Sequence, residues 1–387
     1  MFHTASPEDI LAGKTTDIYF KRTVEILRKK GIARNVKAEF CVKKFPGGLK
    51  WGVFSGVEEC VELLRPLPVR VDAMREGTVF GVNEPVMIIE GEYSNFALYE
   101  TPLLGLICQS SGVATRAARC KKAAGDRLVV SFGARRMHPS ISPMIERNAY
   151  VGGCDGVAVV KSADLIGIEP TGTIPHALVL VLGDVVSAMD AFDEVIDSSV
   201  KRIALVDTLE DEKAESLKVA EAMGEKLYGV RLDTPPSRRG DLYQIAEETR
   251  WELNLRGYHH VKIFVSGGID EHEIERLNPV VDGYGVGTAI SNAPVLDFAM
   301  DIVEIEGKLR AKRGKSSGAK SVLRCPSCYK KMVVPRGTTV GRCSCGSDFE
   351  DLLQPLVADG DMLCTLPTPA AIREYVLQQM RFYSLAE

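Results

Sequence analysis

The chain has 387 residues, 45% of them hydrophobic and 26% charged, with a formal net charge of −4. That balance fits two or three globular domains with ordinary cores and argues against a nucleic-acid role for the molecule as a whole. No apolar run approaches the roughly 18 residues needed to span a membrane, and residues 1–10 lack the basic and apolar regions of a signal peptide. Cys41, Cys60, Cys108, Cys120, Cys154 and Cys364 are scattered, whereas Cys325, Cys328, Cys343 and Cys345 cluster. This is the cysteine usage of a cytoplasmic protein with one metal site, not of a disulfide framework.

Residues 1–112 read as a small α+β domain. Thr15 and Thr16 are candidate caps for a helix over about 17–30, with Phe20, Val24 and Leu27 on its apolar stripe and Tyr19 one step off it. Val36, Ala38, Phe40 and Val42 alternate with polar neighbours, which predicts a half-buried strand in an antiparallel sheet. Further strand signals run over 69–93. A long helix is expected over about 96–124, stopped by Gly125.

The pattern changes at Arg127. Continuous β-rich runs recur at 128–132, 157–160, 165–169, 203–207, 228–232, 263–266 and 280–286, with helical segments between most of them. Strands apolar on both faces belong to parallel sheets, and alternating β and α implies right-handed βαβ units. With about seven strands and no early G-x-G-x-x-G, an incomplete (βα) barrel over 113–295 is preferred to an open Rossmann-like sheet; a flavodoxin-like sheet is the competitor. A helix over 296–309 then opens a C-terminal domain, 296–387. A basic linker and a cysteine cluster at about 323–347 follow, and a last helix over 369–382 closes it.

Active sites of parallel barrels lie where the strands end. Those ends carry Phe132, Arg135, Arg136 and His138; Glu169, Thr173 and His176; Asp207; Arg231 and Asp233. Two glycine turns close the set, Ser266-Gly267-Gly268 and Gly285-Val286-Gly287-Thr288, both leading towards helix starts. Glycine turns at helix N-termini present backbone N–H groups to phosphate. Acids suit ribose hydroxyls and Mg²⁺, and arginines suit phosphate or carboxylate. The substrate chemistry read from the residues is a phosphorylated sugar, plausibly a pyrophosphate. Each feature has a plainer reading, as helix N-cap, solvated turn or tight βα turn. N-capping is the competing role for Asp207, and His138 or His176 alone would more often be structural. Their concentration at one rim argues against all being incidental.

The ordered set resembles the nicotinate phosphoribosyltransferase family, in its short, archaeal-type branch. The resemblance rests on residues 15–20 (T-T-D-I-Y-F), 100–104 (E-T-P-L-L), 132–136 (F-G-A-R-R), Gly172-Thr173 with His176, 231–234 (R-L-D-T) and the two glycine turns. It implies the type II phosphoribosyltransferase fold, an N-terminal α/β sandwich with an incomplete barrel. It also implies transfer from 5-phosphoribosyl 1-pyrophosphate, bound with Mg²⁺, to nicotinate, giving nicotinate mononucleotide and pyrophosphate for NAD salvage. By resemblance, Tyr19 and Phe132 sandwich the pyridine ring. Tyr19 comes from the other subunit of a homodimer, or of a higher oligomer built from such dimers. Arg135 holds phosphate or carboxylate, Arg231 and Asp233 contact ribose, and the glycine turns hold the 5-phosphate. His176 matches the histidine that ATP-coupled members phosphorylate. By charge, Asp207 or Asp233 can stabilise the sugar cation, and the pyridine nitrogen needs no general base.

The cysteine spacing, C-x2-C-x14-C-x-C, suits tetrahedral Zn²⁺ in a knuckle. A redox C-P-S-C is the rival, without the βαβ context it would need. Two alternatives stand for the whole chain. One is quinolinate phosphoribosyltransferase, whose R-K-T-T-P-G motif is here replaced by A-R-R-M-H-P-S at 134–140. The other is a zinc-ribbon nucleic-acid-binding protein using 308–320 and 324–342, which would leave the strand-end acids and glycine turns unexplained.

Overall fold

A computed structural model describes residues 2–386 apart from 236, 238 and 239. Contacts divide the chain into two compact units, one of residues 1–115 and 294–387, the other of residues 116–293.

The first unit is built on a seven-stranded antiparallel sheet. Its order is Lys308–Leu309, Phe298–Ile305, Asn35–Val42, Met87–Glu92, Val69–Ala73, Gln354–Ala358 and Asp361–Met362. Alternation in Asn35–Val42 sends Val36, Ala38, Phe40 and Val42 into the core with Val71 and Ile89. The helix expected over 296–309 is instead the strand Phe298–Ile305, paired with Asn35–Val42 from Val36↔Ile305 to Val42↔Phe298. Its apolar residues fit either period, and a partner so far away in sequence decides between them. The segment after residue 296 is thereby tied to the N-terminal sheet. A smaller sheet, Lys331–Pro335, Lys320–Arg324 and Glu350–Asp351, carries the cysteine cluster.

The second unit holds six strands in the order Gly156–Val157, Leu128–Ser131, Gly283–Val286, Lys262–Ser266, Leu227–Leu232 and Arg202–Leu205, all parallel. The sheet keeps two open edges, as an incomplete, curled half-barrel does. One of the seven expected runs, 165–169, is not a strand: Val160–Ile166 is helical and ends on Gly167 at φ +79°. Glu169 therefore lies on an exposed connection, not at a strand end. Val129, Val230, Ile263 and Val265 are fully buried, as the continuous apolar runs require. Among the described residues, no helix is long and apolar enough to cross a membrane.

Candidate active site

The C-terminal ends of the parallel strands bring six predicted side chains together. Leu227–Leu232 and Arg202–Leu205 are neighbours, so Asp233 and Asp207 emerge side by side. His176 opens the helix His176–Leu182, with its Nε2 3.9 Å from Asp207 Oδ1 and 3.8 Å from Asp233 Oδ2. Its other nitrogen, Nδ1, lies 3.0 Å from Thr208 Oγ1. Ser266, ending the next strand, donates to Asp233 Oδ1 at 2.7 Å. The Arg231 guanidinium carbon stands 5.7 Å from the Phe132 ring centre, while its Nη2 donates to the Ile174 carbonyl at 3.4 Å.

The two acids differ in access. The Asp207 side chain is 4% exposed and that of Asp233 27%. Burial pushes the Asp207 carboxyl up from its ordinary range, against the pull of His176 and Thr234. Burial likewise pulls Arg231 down, opposed by both aspartates. Asp207 Oδ1 and Arg231 Nε are buried without a hydrogen-bond partner. Asp207 is not a helix cap: Asp211 caps Glu212–Met223 by accepting from the Ala214 N–H.

The glycines make room at this rim. A Cβ on Gly285 would fall 2.4 Å from the Phe132 ring, so only glycine lets that ring lie over the strand end. Gly267 has φ +85°, and a Cβ there would crowd Asp233 at 3.1 Å. The turns are not equivalent. The helix after the first, Glu271–Leu277, is capped by Asp270, whose carboxylate takes the His272 and Glu273 N–H groups. The expected helix terminus is thus occupied, and the turn's own backbone is what the first site offers. The helix after the second, Thr288–Ser291, starts at Gly287 with no side-chain cap.

The other candidates lie on turns and connections, and Arg135 is near enough to Arg231 to act on it electrostatically. Arg135 and Arg136 are exposed on the turn Ala134–Arg136. His138 is exposed, and its Nδ1 accepts from the Ser140 N–H at 3.2 Å, capping the next turn. Thr173 donates to the Ile174 carbonyl at 3.3 Å. A cavity of about 470 Å³, lined by Asp126, Arg127, Arg250, Asn278 and Asp282 among others, lies at the opposite, N-terminal end of the strands. Its arginines hold backbone carbonyls there, so the cavity is no part of this rim.

Comparison with known proteins shows the family. Residues 17–111 match the family described as Quinolinate phosphoribosyl transferase, N-terminal domain, and residues 113–301 match its C-terminal domain. A nicotinate phosphoribosyltransferase of Mycobacterium tuberculosis is 32% identical over 320 residues, 80% of this chain and 67% of that protein. The chain belongs to the nicotinate phosphoribosyltransferase family. A nicotinate phosphoribosyltransferase of Bacillus subtilis is 32% identical over 243 residues, 60% of this chain and 49% of that one. Among solved structures, one described as nicotinate-nucleotide pyrophosphorylase from Pyrococcus furiosus is 52% identical, covers 98% of both chains and superposes with a TM-score of 0.96. The human nicotinic acid phosphoribosyltransferase shares the fold at 20% identity, with a TM-score of 0.77, over 96% of this chain and 94% of its own.

In this member of the family, two N-terminal motif segments are stitched together within the first unit. The Asp17 N–H donates to Thr101 Oγ1 at 3.1 Å, and the Thr101 and Tyr19 hydroxyls each donate to Asp17 Oδ2 at 3.2 Å. The helix is Ile18–Lys29, with Asp17 at its N-cap position and no side-chain cap, so neither Thr15 nor Thr16 caps it. Tyr19 is 56% exposed. The four clustered cysteines place their Sγ atoms within 4.8 Å of one another, with 3.3 Å between Cys325 and Cys345 and 3.5 Å between Cys328 and Cys343. That set could hold a metal ion.

Sequence reasoning gave no role to Thr208 or Thr234 and missed Glu212 and Glu215. Thr234 Oγ1 lies 3.0 Å from Asp207 Oδ2 and 2.5 Å from Glu212 Oε1, and its single hydroxyl hydrogen serves one of them at a time. A signal for the threonines was present: both neighbouring strands end in the same Asp-Thr pair. The glutamates carried none, because acids in a helix's first turns ordinarily face water.

Proposed function

We infer that the protein transfers the 5-phosphoribosyl group of 5-phosphoribosyl 1-pyrophosphate to nicotinate, forming nicotinate mononucleotide and pyrophosphate in NAD salvage. The observation that carries this is the meeting of Asp207, Asp233 and Arg231 at neighbouring strand ends with His176 at a helix start, in a chain of this family. Breaking the ribose–pyrophosphate bond builds positive charge on the sugar and negative charge on the leaving group. Asp233, the more accessible acid, faces the sugar cation, with Asp207 behind it; Arg231 contacts the ribose, and Arg135 receives phosphate or carboxylate. Arg136, His138, Glu169 and Thr173 complete the substrate surface. Phe132 offers a ring face to the pyridine, and Tyr19 supplies the other face from the partner subunit of a homodimer. Ser266, Gly267 and Gly268, with Gly285, Gly287 and Thr288, hold the 5-phosphate. The pyridine nitrogen carries its own lone pair, so positioning and electrostatics suffice for catalysis.

The unpartnered Asp207 Oδ1, among oxygen donors, fits Mg²⁺ arriving with the pyrophosphate, which would neutralise charge on the leaving group. Four thiolates around one centre fit structural Zn²⁺: Zn–S bonds of about 2.3 Å put tetrahedral sulfurs roughly 3.8 Å apart. His176 is the residue through which ATP could couple, and a cytoplasmic location accords with free thiols.

The test is pyrophosphate release from 5-phosphoribosyl 1-pyrophosphate with nicotinate, nicotinamide or quinolinate, each with and without ATP. Turnover with nicotinate is expected, and stimulation by ATP would bring in His176 phosphorylation. Turnover confined to quinolinate overturns the assignment.

A further inference from the structure

We propose that Glu215 is a positioning residue that sets the aim of Asp207 and the tautomer of His176. It stands one turn inside the helix Glu212–Met223 and is 3% exposed. Asp211 caps that helix, so Glu215 is free of that task. Its carboxylate instead reaches back over the loop behind Asp207 and accepts three consecutive backbone N–H groups: Thr208 at 3.1 Å on Oε2, Leu209 at 3.1 Å and Glu210 at 3.3 Å on Oε1. Among the described residues it makes no ion pair. A buried carboxylate taking three amides in a row fixes a loop more tightly than any single bond, and hydrogen bonds to a charged acceptor are the stronger kind.

The fixed loop carries two groups of the rim. Asp207 immediately precedes the first gripped amide. Thr208 owns that amide, and its hydroxyl meets His176 Nδ1 at 3.0 Å. The opposite nitrogen, Nε2, faces the two aspartates at 3.9 and 3.8 Å, which is where a ring proton is attracted. The hydroxyl of Thr208 therefore donates to Nδ1, and the proton sits on Nε2. Glu215 thus acts on His176 through Thr208 without touching it.

Glu215→Gln tests this. The amide keeps the shape but points N–H bonds at backbone donors, so the loop must retreat. With nicotinate as acceptor, kcat is expected to fall roughly 10- to 100-fold, the effect of a displacement near 1 Å, with KM little changed. The ¹⁵N resonances of His176 should move towards a mixture of tautomers, a signature that general destabilisation leaves alone. Thr208→Val should give the same shift, and the double variant should be scarcely worse than either single one. Should Glu215→Gln fail to fold, Glu215→Asp keeps the acceptors on a shorter reach and should show a smaller loss and a partial shift. Unchanged His176 resonances in the folded variant, or losses that add fully with Thr208→Val, overturn the proposal. The kinetic arm rests on the reaction inferred above and the NMR arm does not: wild-type protein silent towards every acceptor would refute that reaction, while the resonances would still decide the role of Glu215.

Discussion

Both units bury charge, and the rim of the second treats it differently from the sheet of the first. In the first, Glu39 is 3% exposed and takes Lys320 twice, through its ammonium and its backbone N–H, each at 2.7 Å. Asp301 is held by Lys312 and Lys315, Asp72 by Arg336, and Lys331 by Glu84. At the rim of the second, the Asp207 side chain is as deeply placed, with Arg231 half-buried beside it. Unmet buried oxygens occur in both units, on Asp72 and Asp301 as on Asp207, but among the described residues the ion-pair partner of Asp207 is His176 at 3.9 Å and not a lysine or arginine. A buried charge left without a partner costs stability. Buried charges closed in pairs hold a sheet together, whereas charges left open at strand ends are available to a ligand. What differs is the lysine or arginine partner: Asp72, Asp301 and Glu39 each have one, and Asp207 has His176.

The largest effect should come where the first unit departs from that rule. Four thiols crowd together there, and a metal ion held by them would supply much of the small sheet's stability. One zinc per chain is expected by elemental analysis, lost in Cys325→Ser with Cys328→Ser. The amides of Lys320–Arg324 and Lys331–Pro335 should then lose protection from hydrogen exchange. A metal-free wild-type protein with fully protected strands would refute this. Next comes Lys320→Met, which takes the counter-charge from Glu39, leaves it the backbone N–H alone and should lower unfolding stability by about 3–5 kcal/mol. Turnover at a temperature where the variant stays folded should not change; a fall in kcat would break the contrast between the units. Asp233→Asn is the converse. Its kcat should drop roughly 10²- to 10³-fold, equivalent to about 2.7–4 kcal/mol of transition-state stabilisation, with a denaturation midpoint near that of wild type. A midpoint that fell as far as that of Lys320→Met would make Asp233 a structural residue instead.

Much of this was legible in the sequence. The runs at 128–132, 203–207, 228–232 and 263–266 are strands because both faces are buried and β-branched residues fill them. Reading along their ends brings Phe132, Asp207, Arg231, Asp233 and Ser266 to one place; His176 joins them from a helix start, although in the sequence it reads as part of the 165–169 strand end. The errors have physical causes. Residues 298–305 read as helix because their strand partner lies near the N-terminus, beyond any local window. Residues 165–169 read as a strand because a short apolar run suits either period, and Gly167 ends a helix there. Glu215 was invisible because its importance lies in three backbone amides, and backbone donors leave no mark on composition.

The pairing of Val36 with Ile305 also bears on how the chain comes into being. Residues 116–293 form one uninterrupted stretch, so the second unit can close as soon as it leaves the ribosome. The first cannot. Asn35–Val42 has Met87–Glu92 beside it early, but its other edge stays bare until Phe298–Ile305 is made. At elongation rates of roughly 5–20 residues per second that wait is on the order of 15–50 s. Through that interval an apolar edge strand stands open to other chains, a template for mispairing during synthesis. A protein interrupted between residues 293 and 298 would keep every strand of the parallel sheet and still lack a finished first unit.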